Sequence, residues 1–251
     1  MLASGQRSKS DNEGHLRMKN WPISLDSMKS REIFEQKHMF VEIPDLIIAP
    51  EDVIEFASLQ KFAKITPQYP GVRSELPKTV CSAWLSEFSP MLDSHFDPAL
   101  HGWEMQAWFS LVTTPPAELI PMQCFPHVDG TDPSQIAMML YLHRTQHGGT
   151  GFFRHKSTGL ETITDETFPA YRDALQADVG RTGLPSRAYV SDGEPHFERV
   201  HLAAGAFNSA VFYRGNLLHS GLIDNDAPLS ADPRKGRLTI NAFFRPKGPK
   251  G

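Results

Sequence analysis

His127 and Asp129 stand two residues apart in Phe125-Pro126-His127-Val128-Asp129-Gly130. In an extended segment, residues i and i+2 point to the same face. The pair can therefore offer an imidazole nitrogen and a carboxylate oxygen to one metal ion. His219, in Asn216-Leu217-Leu218-His219-Ser220-Gly221, is the third candidate ligand. Two histidines and one carboxylate on one face leave open positions on a ferrous ion, which is the arrangement that non-haem iron chemistry with dioxygen needs.

A second stretch complements the first. In Arg237-Leu238-Thr239-Ile240-Asn241-Ala242-Phe243-Phe244 the alternation places Arg237, Thr239, Asn241 and Phe243 on one face of a strand. An arginine directed into an apolar interior needs an anion. Its planar fork matches a carboxylate bidentately, and the Thr239 hydroxyl could add one hydrogen bond. His95-Phe96-Asp97 repeats the His-x-Asp spacing, but no strand leads into it and Pro98 follows, so it reads as a surface turn. Ser157, Ser209 and Ser220 sit in no Gly-x-Ser-x-Gly elbow, which removes the hydrolase reading.

These residues need a frame. The 251 residues, 40% hydrophobic and 22% charged, suffice for one domain with a real core. A net charge of −4 and the lack of a dense Lys/Arg run give no reason to expect a nucleic-acid partner. Cys81 and Cys124 are too few for a disulfide framework and fit a reducing, cytoplasmic compartment. The longest apolar runs, such as 136–142, are too short to span a bilayer. Residues 1–30 read as a polar tail without the apolar stretch of a secretory signal, and Met18 and Met28 are alternative starts.

The rest, 31–251, reads as one mainly β domain. A strand is expected over Phe40–Ile48. A helix begins at Pro50, with proline at its first position and Glu51 and Asp52 in its first turn; its apolar residues extend from Val53 to Ala63. Thr66–Pro77, rich in proline, reads as a loop, and Val80–Phe88 as a second helix. Together 49–100 form a helical support. Core strands follow over about 105–245: Met105–Thr113, Met122–Val128, Ile136–His143, Gly151–His155, Phe197–Leu202, Ala206–Tyr213, Leu217–Ser220 and Arg237–Phe244. An insertion over about 160–196 carries an amphipathic helix, with Phe168, Tyr171, Leu175 and Val179 at three- and four-residue steps. Many short strands with turn signals, preceded by helices, suggest a β-sandwich or jelly roll with helical additions. Arg154, His155 and the polar loop 224–236 are candidates to border the pocket, while Trp103 and Trp108 read as core residues.

His127-x-Asp129, His219 and Arg237-x-Thr239, in that order, resemble the 2-oxoglutarate/Fe(II)-dependent dioxygenase superfamily. Tyr141-Leu142-His143 with Gly148-Gly149-Thr150-Gly151-Phe152 is similar to a stretch of its prolyl-4-hydroxylase-like branch, which usually carries asparagine where this chain has His143. Tyr69-Pro70-Gly71-Val72-Arg73, Gly148 to His155, Leu218 to Gly221 and Gly236 to Thr239 resemble a bacterial family of the DUF6445 type, over most of the chain from about residue 40. The resemblance implies a double-stranded β-helix fold in which His127, Asp129 and His219 ligate Fe(II). It implies that Arg237 holds the distal carboxylate of 2-oxoglutarate, assisted by Thr239 and Tyr141. It further implies hydroxylation of a small molecule or of a peptide or protein side chain. Related halogenases replace the carboxylate ligand with a small residue to admit halide, so Asp129 argues for hydroxylation. The rival expectation is a non-catalytic, cupin-like metal-binding jelly roll. For that rival a carboxylate-binding arginine beside a closed metal site has no use.

Overall fold

The computed structural model describes residues 20–248, apart from 34, 146, 193 and 194. In chain order its elements are β1 (Lys29–Ile33), β2 (His38–Ile43), α1 (Pro50–Ser58), β3 (Gly71–Glu75), α2 (Lys78–His95), β4 (Trp103–Val112), β5 (Ile136–Tyr141), β6 (Thr150–His155), α3 (Phe168–Thr182), β7 (Phe197–Ala203), β8 (Ala210–Arg214), β9 (His219–Gly221) and β10 (Leu238–Pro246). A large antiparallel sheet has the order β1-β2-β8-β5-β10-β4-β3, and a small one the order β7-β6-β9. A backbone bridge between His127 and His219 adds a further rung beside β9. From β4 onward the chain alternates between the sheets. It visits β4 in the large one, the His127 segment in the small, β5 in the large, β6 and β7 in the small, β8 in the large, β9 in the small and β10 in the large. That path is a double-stranded β-helix, the form of jelly roll that the family resemblance implies.

Period-two alternation separates the two faces of the large sheet. Leu238, Ile240, Ala242 and Phe244 of β10 face the helices, as do Phe109 and Leu111 of β4 and Ile136, Met138 and Leu140 of β5. There they meet Val53 and Ala57 of α1 and Trp84, Phe88 and Leu92 of α2. The Phe88 ring stands 5.1 Å from Phe212 and 5.8 Å from Phe244, both edge-on. Each such fully buried ring contributes about 1.5–3 kcal/mol of transfer free energy. The opposite face of the large sheet looks toward the small sheet, where Ala137, Tyr141, Val211 and Tyr213 meet Phe152 and Leu217. Outside the small sheet, Tyr171 of α3 covers Phe153, Phe197 and Leu218. Both faces of β5 are thus buried, which accounts for its unbroken apolar run.

Several elements depart from the sequence reading. Of the expected tail, 1–19 lies outside the described residues, whereas Trp21 is buried against Phe56, Trp84 and Phe109 with centroids 5.1, 6.4 and 5.9 Å away. The packed domain therefore starts earlier than residue 31. β2 occupies His38–Ile43 and stops short of Ile48. α1 ends at Ser58, because Ala63 is drawn into a backbone bridge with Arg73. α2 passes beyond Phe88 and through Pro90 to His95; burial of Met91 and Leu92 offsets the backbone bond that proline removes. Within the expected loop 66–77, β3 pairs with β4. Its Gly71 admits no side chain, since a Cβ there would stand 1.9 Å from the Leu111 carbonyl oxygen. Over Met122–Val128 the strand reduces to a 3-10 turn, Pro121–Cys124, followed by the single bridge at His127. Prolines at 121 and 126 remove the ladder donors a longer strand would need. Asp97 of the decoy pair carries an ion pair with Arg214 at 2.9 Å, and His95 is the last residue of α2, its Nδ1 3.0 Å from the Met91 carbonyl oxygen. No helix among the described residues is long and apolar enough to cross a membrane.

Candidate metal centre

The bridge places His127 and His219 directly opposite each other. Each backbone N–H donates to the other's carbonyl, at 2.9 and 2.8 Å. Residues so paired project to one face, and the two rings lie 4.5 Å apart, centroid to centroid. Asp129, two residues on, is fastened by its N–H to the Gly215 carbonyl at 2.8 Å. One ligand atom from each of His127, Asp129 and His219 falls within 4.8 Å of the others. His219 Nδ1–H donates to the Leu217 carbonyl at 2.8 Å. That bond sets the tautomer and leaves the Nε2 lone pair free toward Asp129, whose Oδ2 is 3.5 Å away. Desolvation lowers the pKa of both imidazoles to about 4, at the buried His219 and also at His127, part of which stays exposed to solvent. Burial also raises the Asp129 carboxyl to about 6, against the opposing pull of His127 and Arg73. A neutral imidazole pair and a carboxylate with no Arg or Lys ion pair among the described residues are the donor set that a divalent first-row metal fits.

The three side chains line a cavity of about 400 Å³ between the sheets, together with Arg237, Thr239 and Asn241 of the β10 face. Arg237 is 3% exposed. Its Nη2 donates to the Gly149 carbonyl at 3.1 Å and to the Gly148 carbonyl at 3.3 Å. These acceptors are neutral, and burial pulls the guanidinium pKa below its ordinary value, against the electrostatic support of Tyr141, Tyr69 and Tyr189. The positive charge is thus buried without a compensating anion among the described residues. Thr239 Oγ1 donates to Asn241 Oδ1 at 2.9 Å. Tyr141 is placed differently from its expected role. Its hydroxyl pairs with Thr150 Oγ1 at 2.7 Å, and its ring lies 5.9 Å from the Arg237 guanidinium carbon.

The proposed pocket borders move elsewhere. Arg154 pairs with Glu161 at 2.6 Å, and His155 Nε2 lies 3.2 Å from Asp178 Oδ2 under α3. Loop 224–236 supplies no lining residue among those described. Trp103 is buried in the core as expected, whereas Trp108 stands on the cavity side of β4, its ring 5.9 Å from Phe243. Sequence reasoning gave no role to three further cavity residues, Tyr69, Arg73 and Tyr189. Arg73 could have been noticed as an arginine in a short alternating segment; Tyr189, from an irregular loop, carried no local signal.

His143, which stands where the similar branch usually has asparagine, adjoins Arg237. Burial and that arginine's charge lower its pKa from 6.5 to about 3. A histidine kept neutral in the fold costs nothing above pH 6.5. Below that value the unfolded chain takes up a proton that the folded one refuses, so stability falls steadily from pH 6.5 toward pH 3. In His143→Asn, the stability lost between pH 7.5 and 5.5 should shrink by about 1.4 kcal/mol. Urea denaturation at the two pH values measures it, and an unchanged difference refutes a neutral buried His143.

The family of unknown function DUF6445 matches the chain over residues 26–244, and the chain belongs to that family. No curated protein matches it. Among solved structures it is similar to HygX from Streptomyces hygroscopicus with nickel and 2-oxoglutarate bound, at 12% identity, TM-score 0.48 and 82% coverage of each chain. It is also similar to a Pseudomonas putida prolyl-4-hydroxylase, at 14% identity and TM-score 0.44, covering 85% of this chain and 95% of that one.

Proposed function

We propose that this chain is an Fe(II)- and 2-oxoglutarate-dependent dioxygenase. It hydroxylates a C–H bond of a small molecule or of a peptide or protein side chain, with release of succinate and CO₂. The observation that carries this reading is the shared cavity, in which a two-histidine, one-carboxylate cluster and a buried, anion-free arginine face the same space. Fe(II) bound there supplies the activation of dioxygen coupled to oxidative decarboxylation of the keto acid.

The chain's own residues do the rest. His127, Asp129 and His219 would hold the ion, His219 in the tautomer fixed by Leu217. Arg237 would hold the distal carboxylate of 2-oxoglutarate through its fork, exchanging neutral carbonyl acceptors for a charged one. Thr239, oriented by Asn241, would add a hydroxyl, and Tyr141 keeps the arginine in place. The rings of Phe152 and Tyr213, 6.2 and 5.0 Å from His219, would keep water from the far side of that imidazole. Asp129 keeps an oxygen ligand where a halide would otherwise enter.

Anaerobic addition of Fe(II) and then 2-oxoglutarate should produce a weak visible charge-transfer band that needs both and decays when oxygen is admitted. Arg237→Gln should weaken 2-oxoglutarate about 30-fold, the cost of a lost charge-assisted pair, while iron still binds. Iron binding without any keto-acid band would support the rival, a non-catalytic metal-binding jelly roll. Absence of iron binding would refute the triad.

A further inference from the structure

The cavity holds one more cation than the proposed cofactor pair uses. Arg73 lies on β3, where it faces Ser110 of β4; Ser110 in turn faces Thr239 of β10, and Thr239 faces Tyr141 of β5. These four residues form one row across the large sheet and share its cavity face. Strand spacing and rise put the Arg73 backbone about 12 Å from that of Arg237, so the two side chains enter the cavity from separate places on this face, with the Tyr69 hydroxyl within the field of both.

The surroundings of Arg73 hold the side chain without neutralising it. Its backbone is bonded on the outer side to Ala63, N–H to carbonyl in both directions, at 2.8 and 2.9 Å. Its guanidinium carbon lies 4.1 Å from the Tyr69 ring centroid and 5.8 Å from that of Trp108. Stacking of this kind fixes the plane of the fork and leaves its N–H edge free. Its Nε is buried without a hydrogen-bond acceptor. The Tyr69 hydroxyl beside it faces Ser110 Oγ without closing an ordinary hydrogen bond. Asp129, the carboxylate whose charge acts on Arg73, makes no ion pair with it among the described residues. A buried guanidinium edge with no acceptor is costly unless a ligand completes it.

We propose that Arg73 anchors an anionic group of the substrate, a carboxylate or a phosphate, so that the molecule oxidised is an organic acid or a phosphate ester. The proposal rests on the dioxygenase reading for the reaction, but not for the binding of the anion. Arg237 takes the distal carboxylate of the keto acid, the metal takes its other end, and Arg73 remains for the second molecule. The Tyr69 hydroxyl supplies an additional donor to the same anion.

Two titrations test this. In the metal-free protein carrying Arg237→Gln, which removes the other anion-binding cation of the cavity, calorimetry compares hexanoate with hexanamide, and butyl phosphate with butanol, with the Arg73 substitutions made in the same background. At least one anion should bind ten- to a hundredfold more tightly than its neutral counterpart; which anion does so distinguishes carboxylate from phosphate. That preference should vanish in Arg73→Gln and survive in part in Arg73→Lys, which keeps the charge without the fork. In the iron-loaded protein, the 2-oxoglutarate dissociation constant read from the visible band should change less than twofold in Arg73→Gln. Equal binding of anionic and neutral probes overturns the proposal, as does a preference that survives Arg73→Gln. A tenfold loss of 2-oxoglutarate in Arg73→Gln also overturns it, because Arg73 would then hold the co-substrate. If the wild-type band is absent, the dioxygenase reading fails while the metal-free titration still decides on Arg73. Should Arg73→Gln not fold, Arg73→Lys is measured alone, and an undiminished anion preference refutes the role of the fork.

Discussion

Replacing His219 with alanine should abolish the stabilisation that Fe(II) and 2-oxoglutarate confer on the protein. With free ligand at a hundred times its dissociation constant, the wild type gains about 2.7 kcal/mol, which anaerobic thermal melts read as an upward shift. The variant should gain nothing, because two donors remain and the better-oriented imidazole is gone. The metal-free variant should lose only about 1 kcal/mol, the value of the bond from Nδ1–H to the Leu217 carbonyl. The contrast matters, since a histidine with a purely structural role would lower both melting curves together and leave the ligand-induced gain intact. That last pattern would sink the metal assignment.

Gly149→Ala is expected to have the largest effect on folding, about 3 kcal/mol or more. A Cβ at Gly149 would stand 1.8 Å from the Ala203 carbonyl oxygen and 2.6 Å from both the Ala204 carbonyl carbon and the Gly205 nitrogen. All three atoms are backbone, so no rotamer change relieves the clash, and the strands carrying them must separate. The same movement displaces the Gly149 carbonyl to which Arg237 donates, so any protein that folds should also bind 2-oxoglutarate weakly. Gly180→Ala is the matching control. Nothing lies within 4 Å of a Cβ there, the position is inside α3, and the substitution should stabilise by about 0.5–1 kcal/mol. Denaturant midpoints of the two variants, compared with wild type, decide the point. Equal midpoints would contradict the close approach of the two strands.

The residue pattern alone determined which side chains share a face. The alternation of β10, with Leu238, Ile240, Ala242 and Phe244 on one side and Thr239, Asn241 and Phe243 on the other, is a local property of any extended chain. The unbroken apolar run of β5 marks a strand covered on both faces for the same reason. The spacing of His127 and Asp129 belongs to this class, and so does the start of α1 at Pro50.

What needed the tertiary structure was which faces meet. β3 hides inside a proline-rich stretch because its pairing comes from β4, and Gly71 permits that approach only in the presence of the Leu111 carbonyl. The segment at His127 has too few free N–H groups to be a strand on its own, and it acquires its register only from His219. Arg154 and His155 were candidates to border the pocket and instead lie 2.6 and 3.2 Å from carboxylate oxygens of Glu161 and Asp178, acids separated from them by turns that no local rule orients. Trp21, in a stretch that reads as a tail, fills a gap between α1, α2 and β4. Arg73 became visible as an uncompensated cation only when the row from β3 to β5 was assembled. Side-chain direction is set within two or three residues, whereas charge compensation and close packing are settled between segments far apart in the chain, by the free energy of the whole fold.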